Sequence, residues 1–119
     1  MRRAIADAGI EPADVQYVNT HGTGTVMNDR TEVAALRGLF GAGLSGIPVS
    51  STKSQIGHLL AAAGAVEAAA CVFALQDQVV PPTINYQTPA FDIDVVPNQP
   101  RAAALQDVIA QAPFRHMVT

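Results

Sequence analysis

Two short polar segments, each containing glycine and each placed directly after an apolar run, constrain the fold of this chain most. Residues 19–25 follow the run 15–18, and residues 50–58 follow the run 47–51. Both apolar runs are rich in β-forming side chains, which predicts two strands. In α/β domains the loops after strand ends gather the chemistry. The pattern therefore predicts two adjacent functional loops at one edge of a sheet.

Helical patterns alternate with these strands. Residues 2–8 are predicted to form a helix that ends at Gly9, a residue suited to a C-cap. Asp29, with Glu32 three residues later, has the capping-box spacing and predicts the start of a second helix. One face of that helix would be apolar: Val33, Leu36, Phe40. The alternation of strands and helices favours an α/β domain with helices packed on a sheet.

A third, alanine-rich helix is predicted over residues 58–76. It is apolar nearly all round, which predicts a position inside the domain. The stretch 56–75 is long enough to suggest a membrane span, but it contains His58 and Glu67 and is dominated by weakly hydrophobic alanine. A buried soluble helix is therefore favoured. Two prolines, Pro81 and Pro82, end any helix there, and residues 83–86 are predicted to be extended.

Composition limits the classes of protein that this chain can represent. Its 119 residues correspond to one domain at most. Hydrophobic residues make up 49% and charged residues 14%, so apolar surface is expected to meet a partner or further protein. A net charge of -3 with no run of Lys or Arg argues against a nucleic-acid or anionic-membrane surface. A single cysteine, Cys71, excludes an internal disulfide and predicts a reducing, cytoplasmic setting.

The two polar segments carry the candidate functional groups. His21 lies in the first segment, and Lys53 and His58 lie in the second. Two histidines and a lysine with nearby carboxylates, Asp29 and Glu32, suit the stabilisation of a developing oxyanion or enolate. Each group also has a structural interpretation, since a lone histidine is more often structural and Lys53 could form an ion pair with Glu32. The two interpretations of the lysine are compatible, because a buried ion pair could orient the histidines.

Several ordered blocks carry a resemblance to a known family. They are His21-Gly-Thr-Gly-Thr25, Asn28-Asp29-x-x-Glu32, the block from Ser51 to Gly64 and Pro81-Pro-Thr-Ile-Asn85. Together they resemble the ketosynthases (3-oxoacyl-acyl-carrier-protein synthases) of fatty-acid and polyketide assembly, most closely the free-standing type II enzymes. The match extends to about Arg101. The resemblance implies a thiolase-like fold, of which this chain would be the C-terminal part, incomplete by itself.

That resemblance implies an α/β fold with a mixed sheet, packed helices and a buried alanine-rich central helix. It implies a ketosynthase C-terminal domain over residues 1–112, followed by a divergent or truncated tail over 113–119. The implied reaction is a decarboxylative Claisen condensation. A cysteine holds the acyl group, while two histidines and a lysine serve decarboxylation of a malonyl group on acyl carrier protein. No cofactor is implied beyond the phosphopantetheine that carries the substrates.

By motif, His21 and His58 resemble the two catalytic histidines and Lys53 the supporting lysine. Glu32 resembles the acid that holds the lysine, and Asp29 the aspartate of the same network. Two threonines resemble residues that contact the pantetheine arm: Thr23, Thr25. The implied partners are acyl carrier protein, the cysteine-bearing half of a ketosynthase and, in the complete enzyme, a second copy in a homodimer.

Two departures from the family pattern affect the expected activity. The family's nucleophilic cysteine lies in an N-terminal block that has no counterpart here. Cys71 lies inside the alanine-rich helix, where a buried thiol of low reactivity is expected. The last residues lack the glycine- and phenylalanine-rich acyl-gating loop, so His116 is expected to be an exposed tail residue. The chain alone is therefore predicted to be inactive in condensation.

Two other functions are compatible with parts of the sequence. A non-catalytic partner, such as the chain-length-determining subunits that pair with ketosynthases, would have no need of both histidines and the lysine. A metal hydrolase could use His21, His58, Asp29 and Glu32, but the chain has no HExxH or comparable ligand spacing. The sequence therefore favours the ketosynthase interpretation, with no metal.

Overall fold

The computed structural model describes residues 1–103 and Leu105, and the fold is given for these residues. In chain order the elements are α1 (Arg2–Ala8), β1 (Val18–Asn19), α2 (Val26–Phe40), β2 (Val49–Ser50), α3 (Lys53–Ile56), α4 (Ala63–Asp77), β3 (Val79–Val80) and β4 (Arg101–Ala102). Three 3-10 segments accompany them: Pro12–Asp14, Gly41–Gly46, Leu60–Ala62. The predicted tail over 113–119, which contains His116, lies outside the described residues.

A parallel strand pair forms the centre of the fold. Val18 pairs with Val49 and Asn19 with Ser50, and α2 makes the crossover between the two strands. The N–H of Thr20 continues the ladder by donating to the carbonyl of Ser50 at 2.8 Å. Both strands are shorter than predicted, but they are neighbours. Because parallel strands share their carboxyl ends, the loops that follow β1 and β2 meet at one edge of the sheet, as the sequence predicted.

Helix α2 begins earlier than the sequence predicted. Thr25 is its N-cap, and the Thr25 hydroxyl accepts a hydrogen bond from the N–H of Asn28. The predicted cap at Asp29 is therefore wrong: Asp29 lies in the first turn, where its negative charge still suits the helix dipole. The predicted apolar face is confirmed. Val33 and Leu36 are buried, and Leu36 packs in a cluster with Leu44, Val49, Val18, Phe40 and Ile93.

Helix α4 begins five residues later than predicted, at Ala63 rather than His58. Gly57 ends α3 with φ 75°, and Leu60 interrupts the backbone with φ 49°, so His58 lies in a loop between two helical segments. The expectation that His58 opens the long helix is therefore wrong. At its other end α4 stops at Gln78, which adopts the left-handed conformation.

The expected burial of the alanine-rich helix is not found within the part of the chain that the structure describes. In α4 the structure buries only Ala63 and Ala74 among the described residues, and Phe73 is 61% exposed. Ala74 packs in a second cluster with Val80, Val96 and Leu105. The other elements among residues 1–103 leave most of the remaining surface of α4 uncovered. The segment Leu60–Asp77 has a mean hydropathy of 1.4 and meets the length and composition expected of a membrane span, but core helices of soluble proteins do so too.

The C-terminal described part forms a second, antiparallel pair. Val79 pairs with Ala102 and Val80 with Arg101. The predicted extended piece over 83–86 is confirmed only at Thr83, which bridges to Pro97. A turn follows, with Asn85 at φ 60°.

Candidate active site

The structure brings the two predicted histidines together. His21 lies in the loop after β1, and His58 lies in the loop after α3, which itself follows β2. Their ring centroids are 5.2 Å apart and the ring planes are nearly perpendicular, at 86°. Both side chains are exposed in this chain. The pair can therefore present two imidazoles to one bound group.

A backbone hydrogen bond sets the tautomer of His58. The N–H of Leu60 donates to His58 Nδ1 at 3.0 Å. Because a backbone N–H can only donate, Nδ1 is the unprotonated nitrogen, and the neutral ring carries its hydrogen on Nε2. Leu60 adopts a positive φ of 49° to place this N–H. The exposed edge of His58 is thus a hydrogen-bond donor.

The His21 loop is held by Glu32 of α2. One carboxylate oxygen accepts from the N–H of His21 at 2.7 Å, and the other accepts from the N–H of Gly22 at 2.9 Å. Two charge-assisted bonds to consecutive N–H groups fix the backbone on which His21 stands. Glu32 is therefore an anchor of the histidine loop.

Lys53 is paired with Glu67, and this corrects the predicted Glu32–Lys53 pair. The Lys53 ammonium and a Glu67 carboxylate oxygen form a salt bridge in which the two side chains are only 5% and 14% exposed. Both carboxylate oxygens of Glu32 instead accept hydrogen bonds from the backbone of the His21 loop. The sequence contained the signal: Glu67 is the one charged residue between Ala63 and Leu75, and a lone charge in an apolar helix needs a partner.

The remaining predicted residues lie at the start of α2. Asn28 Nδ2 donates to Asp29 at 3.1 Å and to Glu32 at 3.4 Å, so Asp29 is linked to Glu32 through this amide. The hydroxyls of Thr23 and Thr25 are 3.0 Å apart. The two carboxylates thus belong to the His21 loop and its helix, and not to the contact with Lys53.

The two histidine loops touch at Gly22 and Ser51. The Ser51 hydroxyl donates to the Gly22 carbonyl at 2.9 Å. Gly22 has φ +38°, and a Cβ placed there would lie 2.5 Å from the Ser51 Cβ. Glycine is therefore required by the packing of one loop on the other. Ser51 was not among the functional residues predicted from the sequence.

Cys71 lies in α4 and forms a hydrogen bond with Asn19, the last residue of β1. Burial raises the pKa of its thiol to about 11, and the nearby charge of Glu67 also raises it, while a hydrogen bond with Asn19 opposes the shift. Burial likewise raises the pKa of the neighbouring Tyr17. At neutral pH this thiol is protonated and a poor nucleophile. Within residues 1–103 and Leu105, no three metal-ligating side chains come together to form an ion site.

The chain is similar to known proteins over most of its length. Residues 1–87 match the family described as beta-ketoacyl synthase, C-terminal domain. The chain is 52% identical over 103 residues to nodulation protein E of Rhizobium leguminosarum bv. trifolii, covering 85% of this chain and 26% of that protein. It is 48% identical over 101 residues to 3-oxoacyl-[acyl-carrier-protein] synthase 2 of Staphylococcus aureus (strain COL), covering 83% and 24%.

A solved structure shares the fold. It is a type II polyketide synthase acyl-carrier protein in complex with its ketosynthase bound to the hexaketide. The TM-score is 0.84 at 42% identity, and the match covers 88% of this chain and 26% of that chain. The chain thus spans about a quarter of the length of the proteins that it matches.

Proposed function

Since this chain belongs to the beta-ketoacyl synthase family and has the thiolase-like fold of the family's C-terminal domain, we propose that it supplies the histidine and lysine groups of a ketosynthase active site. The proposed reaction is the decarboxylative condensation of a malonyl thioester on acyl carrier protein with an acyl thioester. One observation carries the proposal: the ring centroids of His21 and His58 are 5.2 Å apart, and the Nε2–H of His58 is available to donate a hydrogen bond.

The decarboxylation step uses the imidazoles as hydrogen-bond donors. When carbon dioxide leaves, the electron pair of the broken carbon–carbon bond passes into the thioester, and negative charge develops on its oxygen. Nε2–H of His58 and an N–H of His21 donate to that oxygen and stabilise the enolate. Donors held in advance by Leu60 N–H and by Glu32 need no reorganisation as the charge develops.

The condensation step follows from the enolate. Its carbon attacks the carbonyl of an acyl group carried on a cysteine, a carbon–carbon bond forms, and the cysteine thiolate leaves with the electron pair of the carbon–sulfur bond. The product is a 3-oxoacyl group on the carrier protein. The buried Lys53–Glu67 pair orients the start of the turn that leads to His58.

The nucleophilic cysteine must come from the remainder of a ketosynthase. Cys71 does not suit this role, because its pKa is raised to about 11 and it lies within α4. We therefore propose that the chain alone is inactive in condensation and acts with the cysteine-bearing part, as a cytoplasmic homodimer when complete. Acyl carrier protein would deliver the substrate, with Thr23 and Thr25 contacting its pantetheine arm.

The test uses this chain fused behind the cysteine-bearing portion of the Staphylococcus aureus relative. Carbon dioxide release from malonyl-carrier protein and 3-oxoacyl product are measured for the parent fusion, His21→Ala and His58→Ala. Loss of a general acid–base or donor group predicts a decrease of about 100-fold or more. Arg3→Ala, an exposed change on α1, is the control and keeps the parent rates. Histidine variants with unchanged condensation would contradict the proposal and favour a non-catalytic subunit of the chain-length-determining kind.

A further inference from the structure

We propose that residues 81–85 act as a clamp that positions the turn carrying Lys53 and His58, with Thr83 as its main positioning residue. This inference rests on the proposed function for its catalytic consequence, while its structural part stands on contacts within the chain. The Pro-Pro-Thr-Ile-Asn block lies apart from the groups that touch the substrate in the mechanism above. However, its hydrogen bonds to the turn after β2 connect it to the same site.

Three hydrogen bonds join this segment to the turn after β2. They run from Ser51 N–H to Thr83 Oγ1 at 2.9 Å, from Ile84 N–H to Ser54 Oγ at 2.9 Å, and from Gln55 Nε2 to the Pro82 carbonyl at 2.8 Å. The bonded positions of the turn surround Lys53 in sequence and lead directly to the loop of His58. The turn is therefore bound along its length to a second segment.

The position of Thr83 is well defined because two hydrogen bonds fix its backbone. Its N–H donates to the Val96 carbonyl at 2.8 Å, and its carbonyl accepts from Asn98 N–H at 2.9 Å. Val96 is 1% exposed and in turn donates to the carbonyl of Val49 in β2. The Thr83 hydroxyl is thus presented to Ser51 from the rigid part of the fold.

The hydrogen bond between Thr83 and Ser51 is also linked to the loop of His21. The N–H of Ser51 donates to Thr83 Oγ1, and the Ser51 hydroxyl donates to the carbonyl of Gly22, the residue after His21. Thr83, Ser51 and Gly22 therefore form one chain of hydrogen bonds. A displacement at Thr83 would move both imidazoles.

Local structure alone is too weak to hold this turn. Helix α3 has four residues, β2 has two, and Gly57 ends α3 with a positive φ. Segments this short are not stable without tertiary contacts. Ser51 is 5% exposed, so its N–H would lack a partner if the Thr83 hydroxyl were removed.

The first test measures two half-reactions in the fusion described above. Thr83→Val keeps the shape and removes the acceptor, Thr83→Ser keeps the hydroxyl, and Thr88→Val removes an exposed hydroxyl farther along as the control. For Thr83→Val we expect malonyl decarboxylation to decrease by about tenfold or more, because displaced donors lose transition-state stabilisation. Acyl transfer to the cysteine should change by less than about twofold, and Thr83→Ser should restore decarboxylation.

Three outcomes would overturn the positioning role. Decarboxylation by Thr83→Val could equal that of the parent, both half-reactions could decrease by the same factor, or Thr83→Ser could behave like Thr83→Val. The second of these would mean that Thr83 supports the fold in general rather than the histidines. Failure of the parent fusion to decarboxylate would instead contradict the proposed function.

A second measurement does not depend on enzymatic activity, so it can distinguish failure of the clamp from failure of the proposed function. In the isotope-labelled chain, the ring ¹⁵N shifts of His58 report its tautomer, and hydrogen exchange reports the Ser51 amide. Thr83→Val should mix the two neutral tautomers and speed exchange at Ser51, whereas Thr88→Val should change neither. Unaltered His58 shifts in Thr83→Val would refute the clamp whatever the enzyme assay shows.

Discussion

At the scale of single residues, two carboxylates with the same chemistry have different tasks. Glu67 neutralises a buried ammonium, while Glu32 accepts two backbone N–H bonds of a loop. Removing a charge from the first site leaves Lys53 buried without a counter-charge. Removing a charge from the second leaves a neutral acceptor in place. Their substitutions should therefore differ in cost.

We predict that Glu67→Gln lowers the free energy of unfolding by about 3 kcal/mol, because an uncompensated buried charge is costly. Glu32→Gln should lower it by about 1 kcal/mol, since the amide oxygen can still accept one hydrogen bond. Urea denaturation of the parent fusion and of both variants measures the difference. The assigned pairing fails if Glu32→Gln is the more destabilising change.

Cys71 gives a prediction about pH. Burial raises the pKa of its thiol to about 11, so almost no thiolate is present at neutral pH. Alkylation by iodoacetamide near pH 8 should be about 100-fold slower in the native chain than in urea. A rapid reaction of the native thiol would show that Cys71 is exposed and activated.

The same raised pKa links stability to pH. The unfolded thiol ionises from about its ordinary value of 9.0, whereas the folded thiol remains protonated to about 11. The contribution of Cys71 is therefore complete below pH 9 and is lost as the pH rises from 9 to 11. In Cys71→Ala the decrease of stability over that interval should be smaller, since only other groups such as Tyr17 remain to titrate.

The sequence predicted that the two histidines lie close together, but it did not predict the partner of Lys53. His21 and His58 lie in glycine-bearing segments that follow neighbouring strands, and the structure brings their rings together. The lone charge of Glu67 in an apolar helix indicated that this carboxylate needs a partner, but not that the partner is Lys53, since Glu32 and Glu67 lie on different helices. Which of these two helices faces the lysine depends on tertiary packing, which no local pattern encodes.

At the scale of elements, the site depends on two loops that approach each other closely. Gly22 lies against Ser51, while Gly24 has a similar positive φ with nothing within 4 Å of its Cβ position. Alanine substitutions at Gly22 and at Gly24 therefore separate two effects of an added methyl group, backbone strain and steric clash. Both changes carry the cost of the left-handed backbone, and only one adds a steric clash between the loops.

We predict that Gly24→Ala lowers the free energy of unfolding by about 1 kcal/mol, and Gly22→Ala by about 2–4 kcal/mol because it also drives the loops apart. Gly22→Ala should also weaken ring-to-ring nuclear Overhauser contacts between the histidines. Equal effects of the two variants on stability and on these contacts would contradict the loop contact.

Element boundaries were less predictable than element types. Helix, strand and apolar face were identified correctly for α2 and β2, but α4 was predicted to start at His58. Alanine continues the helical pattern through residues 61–63, and nothing in that pattern shows that Leu60 adopts a positive φ. The interruption follows from the Leu60–His58 hydrogen bond, which is a feature of the site rather than of helix propensity.

At the scale of the whole molecule, the chain exposes apolar surface that a complete ketosynthase would be expected to cover. Phe73 is 61% exposed and Leu60 is 78% exposed, and α4 is mostly uncovered. Apolar patches of this kind mark interaction surfaces. We therefore expect this face of α4 to contact further protein.

We predict that Phe73→Lys makes the isolated chain more soluble and impairs its assembly with a separately expressed cysteine-bearing part. Loss of one aromatic ring from the contact surface should weaken association by about 100-fold, or about 3 kcal/mol. Gln76→Lys adds the same charge at an exposed polar position of α4 and serves as the control. Co-purification and light scattering measure both effects. Intact assembly of Phe73→Lys would exclude this face as the contact.

The two-residue length of β1 and β2 has a practical consequence for anyone who handles this protein. Far-UV circular dichroism mainly reports local helical hydrogen bonds, and the two longest helices have 15 residues each. The proximity of the histidines depends instead on a few contacts between distant parts of the chain. On warming, these contacts can open before the helices unfold. A sample can therefore have a native-like spectrum and yet hold its imidazoles too far apart to act together.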